Sequence, residues 1–239
     1  MIKNFEEIKR NEISLFGGKA TNLSFLMQNG FNVPGGFCIS TKITQLGKKT
    51  EKEIIKQYKK LNSKVSVRSS ATVEDAKNAS FAGQFDTFLN IDSEKKLIKA
   101  INDCWKSASS SRAKSYSKNK NIKNAKMAVI VQKMVDTDFA GVIFSIDPIY
   151  KKHLLIEVVK GLGDKLVSGE VTPNTYFIDR KNFKIIKKEI QFSFDEQKLS
   201  EIAEVVMEIE KLYKSPQDIE FCIKSRKIYV LQSRPITTL

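Results

Sequence analysis

The 239-residue sequence is poor in the residues that mark fibrous, disordered and membrane proteins. It has only 11 glycines and 5 prolines, and 41% of its residues are hydrophobic, which excludes a fibrous or mainly disordered chain. No apolar run approaches the roughly 18 residues of a membrane-spanning helix. The N-terminal segment contains acidic residues and lacks the apolar core of a secretory signal. We therefore expect a cytoplasmic protein.

Cysteine and histidine are also scarce. Cys38, Cys104 and Cys222 lie far apart and form no CxxC pair, which predicts reduced, buried thiols rather than a disulfide framework or a zinc site. His153 is the only histidine, and it follows two lysines, which is typical of a surface or strand-edge position. Catalysis by a Ser-His-Asp set or by a thiol is therefore a poor fit to this sequence.

Positive charge is in excess. The chain has 41 Lys and Arg against 27 Asp and Glu, a formal net charge of +14. Much of the excess falls in helix-like segments rich in lysine, 42–64 and 95–126. We interpret these segments as solvated surfaces, because the sequence has neither an RNP-like aromatic motif nor helix-turn-helix spacing. A nucleic-acid partner is not expected.

The order of the predicted elements favours an α/β or α+β fold, a mixed sheet covered by helices, without repeats or a long linker. Apolar residues at helical spacing predict helices at 17–30, 50–62, 93–119 and 199–213. Apolar and β-branched runs predict strands at 65–70, 128–135, 141–147, 154–159, 175–180 and 183–192, and a closing hairpin at 218–235. A polar connection near 118–126 predicts two subdomains, 1–122 and 123–239.

The closing hairpin places four polar side chains on one face. If its loop is the three residues 225–227, Glu220 lies opposite Gln232 and Asp218 lies opposite Arg234. Oxygen ligands suit Mg²⁺, and arginine suits a phosphate oxygen. An ordinary amphipathic hairpin with a solvated polar face is the alternative, and the loop lacks the glycine that three-residue hairpins favour.

Two further segments carry cationic groups suited to phosphate. Gly17, Gly18 and Lys19 open a predicted helix, where backbone N–H groups and the helix dipole favour an anion. The spacing is not that of a Walker loop, so this signal is weak alone. Arg68 lies near the end of an apolar strand, where its charge requires a carboxylate or a phosphate partner.

The loop that follows Arg68 is also compatible with phosphate. Gly83 permits close backbone approach, and Gln84 and Thr87 supply hydrogen-bond donors. Together with Lys19 and the closing hairpin, these groups suggest a nucleoside triphosphate site, because phosphoryl transfer depends on positioning, charge neutralisation and a metal ion.

Five segments occur in an order that matches a known family. They are LFGGKATNLSFLMQNGFNVPGGFCIS, VSVRSSATVEDAKNASFAGQFDTFLNI, VIVQKMVDTDFAGVIFSIDP, KGLGDKLVSGEVTPN and DIEFCIKSRKIYVLQSRP. RSSATVED followed by ASFAGQ, and DIEF followed by QSRP, are the most specific of these motifs. The sequence resembles the ATP-binding domain of phosphoenolpyruvate synthase and pyruvate phosphate dikinase, which rifamycin phosphotransferases share. The resemblance covers about residues 15–236.

The resemblance implies an ATP-grasp-like fold of two subdomains that hold ATP between them, with Mg²⁺. It also implies roles for individual residues. The matching residues are Lys19, Arg68 and Arg234 as catalytic phosphate contacts, Gly83, Thr87 and Phe88 as the cover of the phosphates and nucleoside, Gln132 at the adenine hinge, and Glu220 and Gln232 as metal ligands.

The resemblance further implies a phosphotransferase reaction. ATP is cleaved to AMP, and a phosphoryl group passes through a histidine on a carrier domain to an acceptor, for which pyruvate is the first expectation. No carrier segment is found in this sequence, so we expect the carrier and acceptor domains on another chain or in a missing part. A component that phosphorylates rifamycin or another small molecule, and a non-catalytic ATP-binding regulatory module, are the alternatives.

The sequence departs from the family pattern at three places. Residues 41–63 are shorter than the helical insert of phosphoenolpyruvate synthases, which weakens assignment to that subgroup. The GLGE motif ends in Asp164, and residues 149–153 replace a glycine-rich turn. The residues matched to ATP binding are all present, so we expect an intact site.

Overall fold

The structure is a computed structural model that describes residues 1–72, 87–108 and 126–236. Its internal contacts divide the chain into two compact units, Met1–Met134 and Val135–Leu239. Each unit combines helices with a β-sheet, which confirms the α/β (α+β) class. The sequence predicted one mixed sheet, whereas the described residues form two sheets whose recorded strand pairs are all antiparallel.

The described residues of the first unit form five strands and three α-helices. They are β1 (Ile2–Asn4), α1 (Ile13–Gln28), β2 (Gly36–Ile39), α2 (Lys48–Leu61), β3 (Val65–Ala71), β4 (Thr87–Ile91), α3 (Glu94–Ala108) and β5 (Met127–Lys133). The strand order is β1-β2-β5-β3-β4. The N-terminal part of the predicted helix at 93–119 is therefore present as α3, and the rest of that prediction falls on residues outside the described ranges.

The two faces of the first sheet differ because side chains alternate along each strand. Val65 and Val67 of β3 point into a core that also contains Ile54 of α2 and Leu97 and Ile101 of α3. Both helices are amphipathic, with their apolar sides buried in this core and their lysines exposed. Ser66, Arg68 and Ser70 of β3 consequently lie on the opposite face, against α1.

In the second unit, six strands and two α-helices fall within residues 135–236. They are β6 (Phe139–Phe144), β7 (Leu154–Lys160), α4 (Asp164–Val167), β8 (Asn174–Ile178), β9 (Ile185–Glu189), α5 (Gln197–Tyr213), β10 (Gln217–Lys224) and β11 (Lys227–Pro235). The strand order is β11-β10-β6-β7-β8-β9. The buried side of α5 is apolar, and the helix contacts β10. No helix within the described ranges is long and apolar enough to span a membrane.

The division of the chain bears on the two predicted subdomains, 1–122 and 123–239. The predicted boundary falls among residues 109–125, which lie outside the described residues. Strand β5, assigned from the sequence to the second subdomain, pairs with β2 on one side and β3 on the other. Its residues Ala128, Val129, Ile130 and Val131 are fully buried, as expected for a central strand covered on both faces. The first unit accordingly extends to Met134.

Candidate functional site

A glycine break in α1 sets the start of the helix that carries Lys19. Gly17 has φ 76° and ψ 171°, so the regular helix begins at Gly18, as the sequence predicted. A Cβ atom on Gly17 would lie 2.2 Å from the carbonyl oxygen of Ser70. Glycine is needed here for both its conformation and its size.

The same segment is tied to strand β3. The backbone N–H of Ala20 donates to Ser70 Oγ at 3.1 Å. Because residues two apart in a strand share a face, Arg68 lies on the face that receives this helix N-terminus, about 7 Å along the strand from Ser70. The first unit therefore brings together an arginine and a helix N-terminus beside Lys19, both of which favour an anion.

Two other predicted residues share this face of the first sheet. Thr87 of β4 lies opposite Arg68, and Gln132 of β5 lies opposite Ser66. Residues directly opposite one another in antiparallel strands project to the same side of the sheet. Gln132 is 2% exposed and donates from Nε2 to the carbonyl oxygen of Pro34 at 3.2 Å. Arg68, Thr87 and Gln132 thus form one polar face.

Of the other two predicted residues of the phosphate cover, the structure describes only Phe88. Phe88 lies opposite Val67, on the other face of the sheet, and packs against the core beneath α2 and α3. The one-residue difference from Thr87 is enough to reverse its direction in a strand. Gly83 lies outside the described residues.

In the second unit, the closing hairpin has the predicted pairing at its functional end. Asp218 lies opposite Arg234, and Glu220 lies opposite Gln232. All four side chains therefore project to one side of the sheet, which we call the polar face of the second sheet.

The hairpin has this register although its loop is shorter than predicted. Its loop has two residues, Ser225 and Arg226, with φ values of 47° and 69°, rather than three. Such positive φ values at both positions match the twist of a two-residue hairpin. A β-bulge between the Phe221 and Glu220 pairs adds Leu231 to β11 and compensates for the shorter loop.

Asp218 and Arg234 form an ion pair on this polar face. Arg234 donates to Asp218 Oδ2 from Nε at 2.8 Å, and its Nη2 lies 2.6 Å from the same oxygen. Burial raises the pKa of the Asp218 carboxyl above its ordinary value, and the charge of Arg234 offsets this only in part. The carboxylate therefore fixes the orientation of the guanidinium.

A buried hydrogen-bond network lies on the opposite side of this hairpin. Ser233 Oγ donates to Gln217 Oε1 at 2.9 Å, and the backbone N–H of Gln217 donates to Ser145 Oγ at 2.8 Å. All three side chains are fully buried. The network joins β10 to β11 next to the Asp218 and Arg234 pair and stabilises their register.

The sequence analysis missed Glu157 as a candidate. Glu157 of β7 lies opposite Val142 of β6, which in turn lies opposite Glu220 of β10. It therefore belongs to the polar face, where burial and then the charge of Asp218 raise its pKa. A carboxylate within the apolar run LLIEVV was the available signal, the same argument that singled out Arg68.

Glu220 and Gln232 are suited to a hard cation. Their side chains start from directly opposed positions, and both supply oxygen atoms. Within the described ranges, no group of three or more His, Cys, Asp or Glu side chains could hold a metal ion. Mg²⁺ keeps several waters and typically takes one or two protein ligands together with phosphate oxygens, a number that one Glu and one Gln can supply.

Sequence comparison identifies the family. A family model described as "Pyruvate phosphate dikinase, AMP/ATP-binding domain" matches residues 42–192 and 187–239. The chain belongs to this family. Membership of the pyruvate phosphate dikinase AMP/ATP-binding family confirms the resemblance found in the motifs and makes ATP the ligand class of the domain.

Similar proteins include several phosphotransferases. A probable phosphoenolpyruvate synthase of Methanothermobacter thermautotrophicus is 32% identical over 98% of this chain and 46% of its own length. A rifampicin phosphotransferase of Bacillus cereus is 32% identical over 100% of this chain and 36% of its own. An uncharacterized phosphotransferase of Bacillus subtilis is 35% identical over 94% and 34%, respectively. The chain thus spans less than half of these relatives.

Solved structures share the fold at low sequence identity. An acetyl-coenzyme A synthetase of Korarchaeum cryptofilum superposes with a TM-score of 0.52 at 13% identity, covering 91% of both chains. A D-alanine–D-alanine ligase of Bacillus anthracis has a TM-score of 0.50 at 10% identity, over 92% of this chain and 57% of the ligase. Both are ATP-grasp-type enzymes, which confirms the predicted fold.

Proposed function

We propose that this chain binds ATP with Mg²⁺ and catalyses the ATP-dependent step of a dikinase-type phosphotransferase. The observation that carries the proposal is the Ala20–Ser70 hydrogen bond, which seats the helix segment that begins at Gly18 on the face of β3 that also carries Arg68. A positive, preorganised set of donors of this kind neutralises the charge that develops on a transferring phosphoryl group.

In the first unit, we assign the phosphate contacts to Lys19 and Arg68. The helix N-terminus at Gly18 and the Thr87 hydroxyl add uncharged donors to the same face. The buried Gln132 is assigned to the adenine end, and Gly83 to the cover of the phosphates. Phe88 belongs to the proposed cover only if β4 rearranges, because its side chain is packed in the core.

In the second unit, Arg234 is assigned to the phosphates, and its guanidinium is held in place by Asp218. Glu220 and Gln232 would hold Mg²⁺, which when bound neutralises charge on the phosphate oxygens and orients them. The polar face thus contributes both an arginine for the anion and oxygen ligands for its counterion.

The proposed reaction is transfer to a histidine on another domain or chain. An imidazole nitrogen forms a bond to the β-phosphorus of ATP, and the bond from that phosphorus to the AMP oxygen breaks, so that AMP leaves. Water then removes the terminal phosphate, and the remaining phosphoryl group passes to the acceptor. The relative named phosphoenolpyruvate synthase supports pyruvate as the acceptor, and the rifampicin phosphotransferase supports an antibiotic hydroxyl as the alternative.

Thermal unfolding with and without ATP and Mg²⁺ tests the binding step. A ligand that binds only the folded state raises the melting temperature, by an amount equivalent to about 2.7 kcal/mol at 100 times its dissociation constant. Mg²⁺ without nucleotide is the control. An unchanged melting temperature with ATP and Mg²⁺ together would contradict the proposal.

Labelling in trans tests the transfer step. We would supply the full-length phosphoenolpyruvate synthase relative with its own ATP-site lysine replaced by alanine, so that its histidine can be phosphorylated only through this chain. We expect AMP to form and the histidine of the relative to carry an acid-labile phosphoryl label that comes from ATP. ATP binding without AMP would instead identify a non-catalytic regulatory module.

A further inference from the structure

The loop between β6 and β7 exposes two large apolar side chains. Ile149 is 68% exposed and Tyr150 is 60% exposed, whereas most large apolar side chains in the described residues are buried. Adjacent exposed apolar side chains rimmed by polar residues are one of the surface features found at protein–protein interaction sites.

The loop is rigid because a single carboxylate holds it. Asp147 is fully buried. Its Oδ1 accepts the backbone N–H groups of Ile149, Tyr150 and Lys151, and its Oδ2 accepts those of Lys152 and His153 at 3.1 and 3.0 Å. Burial acts to raise the pKa of Asp147, but these donors together hold the pKa below its ordinary value. The loop is therefore preorganised for binding.

The loop lies on the polar face of the second sheet. The ring of Tyr150 packs against Phe177 of β8 in an edge-to-face arrangement, with 5.8 Å between ring centroids. Phe177 belongs to the cross-strand row that runs through Leu155 and Phe144 to Asp218. Because β8 is four strands from β11, Phe177 beneath Tyr150 and the proposed phosphate contact Arg234 lie on one face, about 19 Å apart.

Positive charge surrounds the apolar pair. Lys151 and Lys152 are exposed, and neither forms an ion pair within the described part of the chain. The Nζ atom of Lys187 lies 5.9 Å from the ring centroid of Phe177, but it is paired with Glu189 at 2.9 Å, so the excess positive charge comes from Lys151 and Lys152. An apolar centre with a basic rim is complementary to a protein surface with an apolar centre and an acidic rim.

We infer that the 147–153 loop is the docking surface for the protein domain that receives the phosphoryl group. The inference rests on the proposed function and names the partner of that same site. Two observations favour such an occupant over a second copy or a small acceptor. The surface shares a face of the second sheet with Arg234, and the similar phosphotransferases carry more than half of their length beyond the part matched here. The net charge of +14 opposes self-association.

The test uses the labelling assay in trans with the double variant Ile149→Ser, Tyr150→Ala. The concentration of the lysine-disabled relative that gives half-maximal labelling should rise about tenfold, because truncating an anchor residue typically weakens an interface by that factor. The maximal rate and the ATP-induced rise in melting temperature should stay unchanged. Ile186→Ser, which removes another exposed isoleucine of the second unit, is the matched control and should leave the half-maximal concentration unchanged.

A second variant tests the charge of the partner. The double variant Lys151→Glu, Lys152→Glu should raise the half-maximal concentration of the relative. The rise should be larger at low salt than at high salt, because salt screens the charges at the rim of an interface. Unchanged half-maximal concentrations in both double variants would overturn the docking inference, as would a failure of the wild-type chain to bind the relative in calorimetry. If ATP fails to raise the melting temperature, the proposed function is wrong. Calorimetric binding of the wild-type chain to the relative then still tests the docking inference by itself. Dimerisation that the first variant abolishes would assign the surface to a second copy instead.

Discussion

The two units differ sharply in charge. Residues 1–134 contain 25 basic and 11 acidic residues, whereas residues 135–239 contain 16 of each, so the entire net charge of +14 belongs to the first unit. A general preference for lysine would affect both units alike. The difference comes mainly from a shortage of carboxylates in the first unit, which is the unit proposed to bind the phosphates through Lys19 and Arg68. Long-range potential therefore favours an anionic ligand in that unit.

The units also differ in how their proposed binding groups are held. In the first, a helix N-terminus is placed by the contact of Gly17 and Ala20 with Ser70. In the second, an arginine is held by a buried carboxylate beside two oxygen ligands. The first arrangement depends on backbone shape and the second on paired side chains, so they should respond differently to substitution.

The largest expected effect is loss of activity from the first unit. Lys19→Ala should lower the rate of ATP-dependent labelling by about 100- to 1000-fold, as expected when a charged group that stabilises the transition state is removed. Lys56→Ala removes an exposed lysine of α2 and is the control for net charge. Equal rates for the two variants would mean that overall charge, rather than the position of Lys19, governs the reaction.

A second prediction concerns the shape of the first unit. Gly17→Ala should lower the free energy of unfolding by about 3–5 kcal/mol, since it combines an unfavourable positive φ with an overlap against Ser70. Gly30→Ala is the matched control, because Gly30 also has a positive φ, of 87°, but no atom lies within 4 Å of its added Cβ. It should cost only about 1–2 kcal/mol. Denaturant titration measures both, and similar losses would remove the role of the Ser70 contact.

A smaller effect is expected from the second unit. Glu220→Gln removes a charged oxygen ligand but retains its shape, so the Mg²⁺ concentration for half-maximal activity should rise about tenfold, equivalent to about 1.4 kcal/mol. Glu204→Gln, an exposed glutamate of α5, is the control. An unaltered Mg²⁺ requirement in Glu220→Gln would exclude this residue as a metal ligand.

The smallest effect should be a gain in stability. The pKa of Glu157 is raised by burial, so the folded state binds a proton more readily than the unfolded state and loses stability as the pH rises through the raised pKa. Glu157→Gln should therefore raise the melting temperature at pH 7 by about 1–2 °C. The difference should vanish below the ordinary pKa of glutamate. A lower melting temperature at pH 7 would show that the charged carboxylate is stabilised in the fold.

Local pattern was sufficient to predict the helix start at Gly18 and the pairing of Glu220 with Gln232. The second success is partly fortuitous, since a shorter loop and a bulge at Leu231 offset one another. Neither could be predicted, because the loop has no glycine to indicate its type and a bulge depends on packing across the sheet.

The other features of the fold and of the candidate site depend on which strands pair in the folded chain. The central position of β5 follows from long-range hydrogen bonds to β2 and β3, which an apolar run does not specify. The direction of Phe88 depends on register, which reverses with a shift of one residue. Glu157 lies on the polar face because β7 pairs with β6, and the sequence does not specify that pairing.

The bulge at Leu231 separates the two ends of the hairpin. On its far side, the Ser233 to Gln217 hydrogen bond anchors the strands independently of the turn at Ser225 and Arg226. We therefore expect a change in the length of that turn to leave the pairing of Glu220 with Gln232 unaltered. The hairpin tip is consequently a suitable position for inserting a spectroscopic label or a fused peptide, while the metal-binding pair keeps its alignment.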